Sequence, residues 1–234
     1  MERIFPIENP LECSIVRRIN RFVVEVCLKG KRDRAHINNT GRLHEFLVEG
    51  KRGFCLRNKR PGKTDYRLFS MREGELGAII DTQLQMRAFE RSLEMKLIPW
   101  LEGCSILRRN ARLGESVIDY LLQCEGREVY LEVKSAALRE GEHAMYPDCP
   151  STRGRKHIRE LANRAKGGSR AIILFIGALP GVKAFRPNRS ADPELYELLL
   201  EACEVGVELR SMGILYNPED SFVYLFTPDL VIYL

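Results

Sequence analysis

The 234 residues, 44% hydrophobic and 29% charged, suffice to bury a core without a metal or disulfide staple, and no Pro/Gly/Ser tract or short repeat marks disorder or a solenoid. No apolar run approaches the roughly 20 residues of a membrane span, and the start Met1-Glu2-Arg3-Ile4-Phe5-Pro6 lacks the charged-then-apolar order of a secretory signal, so a cytoplasmic protein with no membrane partner is expected. The net charge of +5 is uneven: residues 17–72 hold sixteen Lys/Arg against five Asp/Glu, whereas residues 191–234 hold one against nine, and the basic stretch favours a polyanion such as nucleic acid.

From Ile15 to about Asp81 short alternating runs predict strands over Arg21–Leu28, Ala35–Ile37, Phe46–Val48, Gly53–Leu56, Tyr66–Ser70 and Leu76–Ile80, broken at Gly30, Gly50, Gly62 and Gly74. In the first run Phe22, Val24, Val26 and Leu28 share one face. Closely spaced short strands predict a small barrel, of which the OB-like form commonly binds single-stranded nucleic acid. The period then changes: Gln83–Leu97 is helical, marked by Leu84, Ala88, Leu93 and Leu97, and starts a second domain. Strands follow at Ser105–Arg109, Val117–Cys124 and Val129–Val133. Beyond them come a helix at Arg155–Lys166 with Thr152 as its N-cap, a strand at Ala171–Ile176, a helix at Pro193–Glu204, and strands near Val207 and Phe222–Phe226. Apolar strands alternating with helices make this part a mixed α/β layer structure. The seven cysteines show no CxxC pair and read as small hydrophobes, not as a zinc site or disulfide framework.

The chemistry sits in Ser116-Val117-Ile118-Asp119-Tyr120-Leu121-Leu122 and Val129-Tyr130-Leu131-Glu132-Val133-Lys134-Ser135, joined by a turn at Glu125-Gly126-Arg127. An antiparallel hairpin brings Asp119 near Glu132 and Lys134, and alternation sets Glu132 and Lys134 on one face of their strand. Two converging carboxylates suit Mg²⁺ or Mn²⁺, which take oxygen ligands and keep positions open for water and phosphate, and a nearby lysine offsets developing negative charge. This is the logic of restriction-enzyme-like nucleases. Residues 151–170 carry seven Lys/Arg against one Glu. Arg153, Lys156, His157 and Glu160 recur three or four apart on one face, placed to clamp phosphates beside the cation. Arg155, Arg159 and Arg164 read as solvent-facing ion-pair residues. Around Asn39-Thr40-Gly41-Arg42 a glycine turn lets backbone approach a phosphate, with Arg42 adding charge.

The segments Gly114-x-Ser116-x-Ile118-Asp119-Tyr120, Glu132-Val133-Lys134-Ser135 and Tyr146-Pro147-Asp148, with Thr152-Arg153-Gly154-x-Lys156-His157 and Glu160-Leu161, resemble the sugar fermentation stimulation protein A (SfsA) family. Arg21-Phe22, His36, Asn39 to Arg42, Phe185, Pro187, Asp192-Pro193 and Tyr196 extend the likeness over nearly the whole chain. Met86 replaces an expected Asn, and Cys149 stands where a small residue such as Ala is usual. The resemblance implies an OB-like β-barrel over residues 1–82 followed by a PD-(D/E)xK restriction-endonuclease-like α/β domain over residues 83–234. It implies DNA binding without sharp sequence preference and a link to sugar-metabolism regulation. On the same pattern Asp119 and Glu132 are the metal ligands and Asp119, Glu132, Lys134 and His157 the catalytic set. Arg21, Asn39, Thr40, Arg42, Arg153 and Lys156 are the expected nucleic-acid contacts. Glu90 and Glu94 are further carboxylates on the helix before the hairpin, and no motif selects between them. The expected function is a DNA-binding, Mg²⁺- or Mn²⁺-dependent phosphodiesterase; the alternative is a non-enzymatic DNA-binding regulator on the same fold. A homodimer is the base-rate expectation.

Overall fold

Alternating burial builds the first half of the chain. In the computed structural model, which describes residues 1–58 and 62–234, its strands are β1 (Glu2–Pro6), β2 (Leu11–Arg18), β3 (Val23–Leu28), β4 (Lys31–His36), β5 (Arg52–Arg57), β6 (Tyr66–Glu73) and β7 (Leu76–Ile79). Strands β2 to β6 close into a five-stranded barrel in the order β2-β3-β4-β6-β5, every pair antiparallel except β4–β6. That closure, with its one parallel pair, is the OB-like arrangement, and it leaves no free edge. Ile15, Val24, Val26, Ala35, Ile37, Cys55 and Leu68 fill the interior.

Two sequence expectations fail here. Residues Phe46–Val48 form a turn, not a strand: the amides of Phe46 and Leu47 both donate to the Leu43 carbonyl, and Phe46 is buried as part of the barrel core. Phe22, expected in the strand on the same face as Val24, lies in the turn before β3 and is 49% exposed, because the alternation that turns Val24 inward begins only where the strand does.

The second half contains α1 (Thr82–Glu94), β8 (Cys104–Leu113), β9 (Ser116–Cys124), β10 (Arg127–Ser135), β11 (Leu138–Glu140), β12 (His143–Tyr146), α2 (Thr152–Lys166), β13 (Ala171–Gly177), β14 (Ala184–Pro187), α3 (Pro193–Glu204), β15 (Glu208–Asn217), β16 (Phe222–Thr227) and β17 (Val231–Ile232). Its sheet runs β8-β9-β10-β13-β15. Pairs β10–β13 and β13–β15 are parallel, and β7 joins the barrel to β15. Strand β13 is apolar throughout because both its faces are covered. Ala171, Ile173 and Phe175 pack in one core with α2 and α3, and Ile172, Leu174 and Ile176 in another with α1. Strand β1 pairs with β16, so the first residues complete the far side of this sheet.

The helices start where side chains satisfy free amides: Asp81 accepts from Leu84 N, Ser151 from Gly154 N and Asp192 from Leu195 N. Ser151, not the expected Thr152, caps α2, since Thr152 is already its first helical residue. The cysteine reading also needs correction. Cys104 and Cys124 face each other in the β8–β9 register and form a disulfide at a Cα–Cα distance of 4.1 Å, a pairing set by register that their 20-residue separation does not announce. No helix among the described residues is long and apolar enough to cross a membrane.

Candidate active site

Where β9 and β10 part, their backbone amides are taken up by carboxylates. The last paired residues are Tyr120 and Leu131. Just beyond, Asp119 Oδ2 accepts from Val133 N at 2.8 Å and Glu132 Oε2 accepts from Asp119 N at 3.1 Å. The two side chains thus stand in for ladder bonds and hold the fork open. Lys134, two residues on and on the same face, donates from Nζ to Glu132 Oε1 at 2.7 Å. From α2, His157 Nδ1 lies 2.5 Å from the same oxygen, while Arg153 Nε donates to His157 Nε2 at 3.4 Å. His157 thus links Arg153 to Glu132.

Burial and mutual charge set the electrostatics. Burial, then the neighbouring Glu132 charge, pushes the Asp119 carboxyl up to about 6. Burial alone would raise Glu132 as well, but Lys134 and His157 hold it below the ordinary carboxylate range. Burial would likewise push the Lys134 ammonium down, and Glu132 outweighs it, keeping the pKa above the usual lysine value. One carboxylate is therefore fully compensated and its neighbour is not, and the neighbour is where added positive charge gains most.

The cluster lies in a cleft of about 380 Å³ between the two halves of the chain. Asp119, Glu132 and Lys134 form part of it, Arg153 and Gly154 contribute from α2, and Arg21, Asn39 and Thr40 line it from the barrel. The loop Asn39–Leu43 docks on Asp148, whose Oδ2 accepts from Leu43 N at 3.1 Å, and a Cβ on Gly41 would come within 2.5 Å of that oxygen. Gly154 is needed for the same reason: a Cβ there would sit 2.6 Å from Tyr146 Oη. A larger groove of about 1090 Å³, between α1 and β8, contains none of the acid–lysine cluster.

The other expected contacts divide. Asn39 lines the cleft but is buried, its Oδ1 accepting from Gly41 N and its Nδ2 donating to Ser135 Oγ, so it also shapes the loop. Arg42 is exposed at the barrel rim and does not line the cleft. Lys156 points away to Glu115 in the β8–β9 turn, 3.0 Å off, because one residue on a helix turns a side chain by about 100° and His157 already takes the inward direction. Arg155 pairs with Asp192, the cap of α3, and Arg155 and Arg159 with Glu194 in its first turn. On α1, Glu90 accepts from Arg109 Nε and Nη2 at 2.6 and 2.7 Å and from the Tyr120 hydroxyl, and Glu94 pairs with exposed Arg91. Of the α1 residues that line the cleft, Thr82, Gln85 and Met86, only Gln85 is buried, with Nε2 on the Ile79 carbonyl and no partner for Oε1 among the described residues. Sequence reading missed it; the one available signal was its place on the apolar face of a helix, next to Leu84 and one turn before Phe89.

Among the described residues no three His, Cys, Asp or Glu side chains converge as a metal group. Two carboxylates nonetheless suit Mg²⁺, which commonly binds one or two and fills its remaining positions with water and substrate oxygen. The uncompensated Asp119 and the orphaned Gln85 Oε1 in the same cleft are oxygen donors of that kind.

The chain matches the family model described as the sugar fermentation stimulation protein RE domain over residues 83–220, and the SfsA N-terminal OB domain over residues 16–80. It is 51% identical over 212 residues to a sugar fermentation stimulation protein homolog of Pyrococcus furiosus, covering 91% of this chain and 92% of the relative. A homolog from Archaeoglobus fulgidus is 50% identical over 228 residues, covering 97% and 98%. The solved structure of Pyrococcus furiosus SfsA in complex with Ca²⁺ superposes with a TM-score of 0.96 at 46% identity, covering all of both chains.

Proposed function

This chain belongs to the sugar fermentation stimulation protein family, and on that premise we propose that it binds nucleic acid, expected to be DNA, and cleaves phosphodiester bonds with Mg²⁺ or Mn²⁺ in the manner of PD-(D/E)xK enzymes. The observation that carries this reading is the fork at β9 and β10, which presents Asp119, Glu132 and Lys134 together in a cleft walled by Arg21 and Arg153. Asp119 and Glu132 would hold the cation, with Gln85 Oε1 as a further oxygen. When bound, the cation neutralises phosphate charge and makes a water nucleophilic. The Ca²⁺ bound by the Pyrococcus furiosus relative supports a hard divalent ion in this family.

The chain's own groups supply the rest. Lys134, held by Glu132, is a fixed ammonium beside the carboxylates, placed to donate to a phosphoryl oxygen as negative charge builds on it. His157 orients Glu132 from behind and Arg153 orients His157, so α2 sets the carboxylate's position through two contacts. Arg153 and Arg21, on opposite walls, are placed for the flanking phosphates.

Labelled single- and double-stranded DNA and RNA, incubated with Mg²⁺, Mn²⁺ or EDTA beside Glu132→Ala and Lys134→Ala proteins, tests the reading. Metal-dependent cutting is expected, reduced by about 100-fold or more in either variant. Binding without cutting in every condition would replace it with the non-enzymatic regulator.

A further inference from the structure

Phe22 is the one exposed phenylalanine of the chain's ten. A lone exposed hydrophobe needs no explanation in itself, but three features set this one apart. First, its backbone is fixed: Phe22 N donates to Asn20 Oδ1 at 2.8 Å, and its carbonyl accepts from Ile37 N at 2.8 Å. Second, the turn is stapled to the cleft-lining loop by Arg18, which donates from Nη1 to the Arg42 carbonyl at 2.5 Å and from Nη2 to the carbonyls of Gly41 and Arg21 at 2.9 and 3.0 Å. Third, the Arg21 guanidinium lies 5.9 Å from the Phe22 ring centroid and itself lines the cleft that holds Asp119 and Glu132.

The charge on the barrel also bears on this. Arg17, Lys51, Arg52, Arg67 and Arg72 of the barrel pair with carboxylates. Arg21 and Arg42, both exposed, enter no ion pair among the described residues, as is also true of Lys29, Lys31, Arg32, Arg34, Arg57 and Lys63. Of these Arg21 is the one that both lies by the ring and lines the cleft. An open aromatic face beside the free Arg21 guanidinium is what an unstacked base with a flanking phosphate requires, since every base offers a π-face and the backbone offers anions. A duplex keeps its base faces covered by their neighbours and has nothing to lay on the ring.

We propose that Phe22 is a stacking platform for an unpaired base, backed by Arg21, so that the strand delivered to the cleft is single-stranded nucleic acid. The inference rests on the reading of the cleft as a nucleic-acid site and adds the form of substrate. Arg18 acts as a positioning residue, fixing the turn on which the ring is mounted.

Fluorescence anisotropy of the full chain in EDTA, with labelled oligothymidylate and a labelled hairpin duplex, tests the platform. Phe22→Ala is expected to weaken single-strand binding by about tenfold or more while leaving the duplex within about twofold. Phe22→Trp should bind the single strand as tightly as the wild type or tighter. The salt dependence should be unchanged by Phe22→Ala, which removes no charge, and its slope should drop by about one in Arg21→Ala. Unchanged single-strand affinity in Phe22→Ala, or an equal loss on the hairpin, would overturn the platform alone if the wild type binds and cleaves. A wild-type protein that binds neither probe would overturn the nucleic-acid reading and the platform with it.

Discussion

The two walls of the cleft handle charge in opposite ways. On the second-domain wall Glu132 and Lys134 are buried against each other, with His157 on the same carboxylate oxygen. On the barrel wall Arg21 stands exposed, and at the rim nearby so does Arg42, neither with a carboxylate among the described residues, on a turn and loop tied down through backbone bonds. A buried ion pair is costly to assemble and costly to break, so it holds a fixed geometry. An exposed guanidinium contributes little to the fold and keeps its charge free for a ligand. On the proposed function the contrast would give chemistry to one wall and capture to the other, with burial deciding which charges are locked and which stay free.

The sharpest way to break this contrast is to empty the buried side. Lys134→Met leaves Glu132 and Asp119 without their ammonium and is expected to cost about 3 kcal/mol in urea unfolding at neutral pH, whereas Arg21→Ala should stay within about 0.5 kcal/mol. A Lys134→Met protein as stable as the wild type would mean that water already compensates the carboxylates.

The next effect is in pH. In the metal-free protein the folded Asp119 carboxyl, raised to about 6, keeps a proton that the unfolded chain has released. Stability should therefore fall as pH rises from about 4 to about 6, by up to ~3 kcal/mol. Glu132, held below its ordinary value, works the other way: its contribution is present above the usual carboxylate range and is lost as pH falls beneath it. Asp119→Asn should remove the fall between pH 4 and 6, and Ca²⁺ should flatten it. Thermal melts across that range, with and without Ca²⁺, read both.

The smallest effects sharpen the boundary of the site. Glu90 is a half-hidden carboxylate on α1 whose bonds all go to Arg109 and Tyr120. Glu90→Gln should cost about 1 kcal/mol of stability and leave cleavage unaltered. Lys156→Ala, which breaks an exposed pair with Glu115, should be nearly neutral in urea unfolding. A cleavage defect in Glu90→Gln would extend the site onto α1 beyond Gln85.

Much of this arrangement could be read from the chain. The approach of Asp119 to Glu132 and Lys134 follows from two apolar strands and the turn between them, and period alone places α1, α2 and α3 within a few residues. The continuous run Ala171–Gly177 betrays a strand covered on both faces. Other features were out of reach: β1 pairing with a strand more than 200 residues away, Cys104 opposite Cys124, Gln85 in the cleft and Lys156 outside it, and Phe46 buried in the barrel core.

What the sequence determined by itself is local: which segments alternate with period two or 3.6, and which acids and bases stand near each other in a hairpin. These follow from backbone geometry over a few residues. The tertiary structure alone decided which surfaces face the cleft. It set Arg21 and Thr40 across from Asp119, turned His157 inward and Lys156 outward, and left Phe22 uncovered beside Arg21. Those outcomes depend on the register of distant strands and the packing of the barrel against the second domain, energies summed over many contacts that no short stretch of sequence carries.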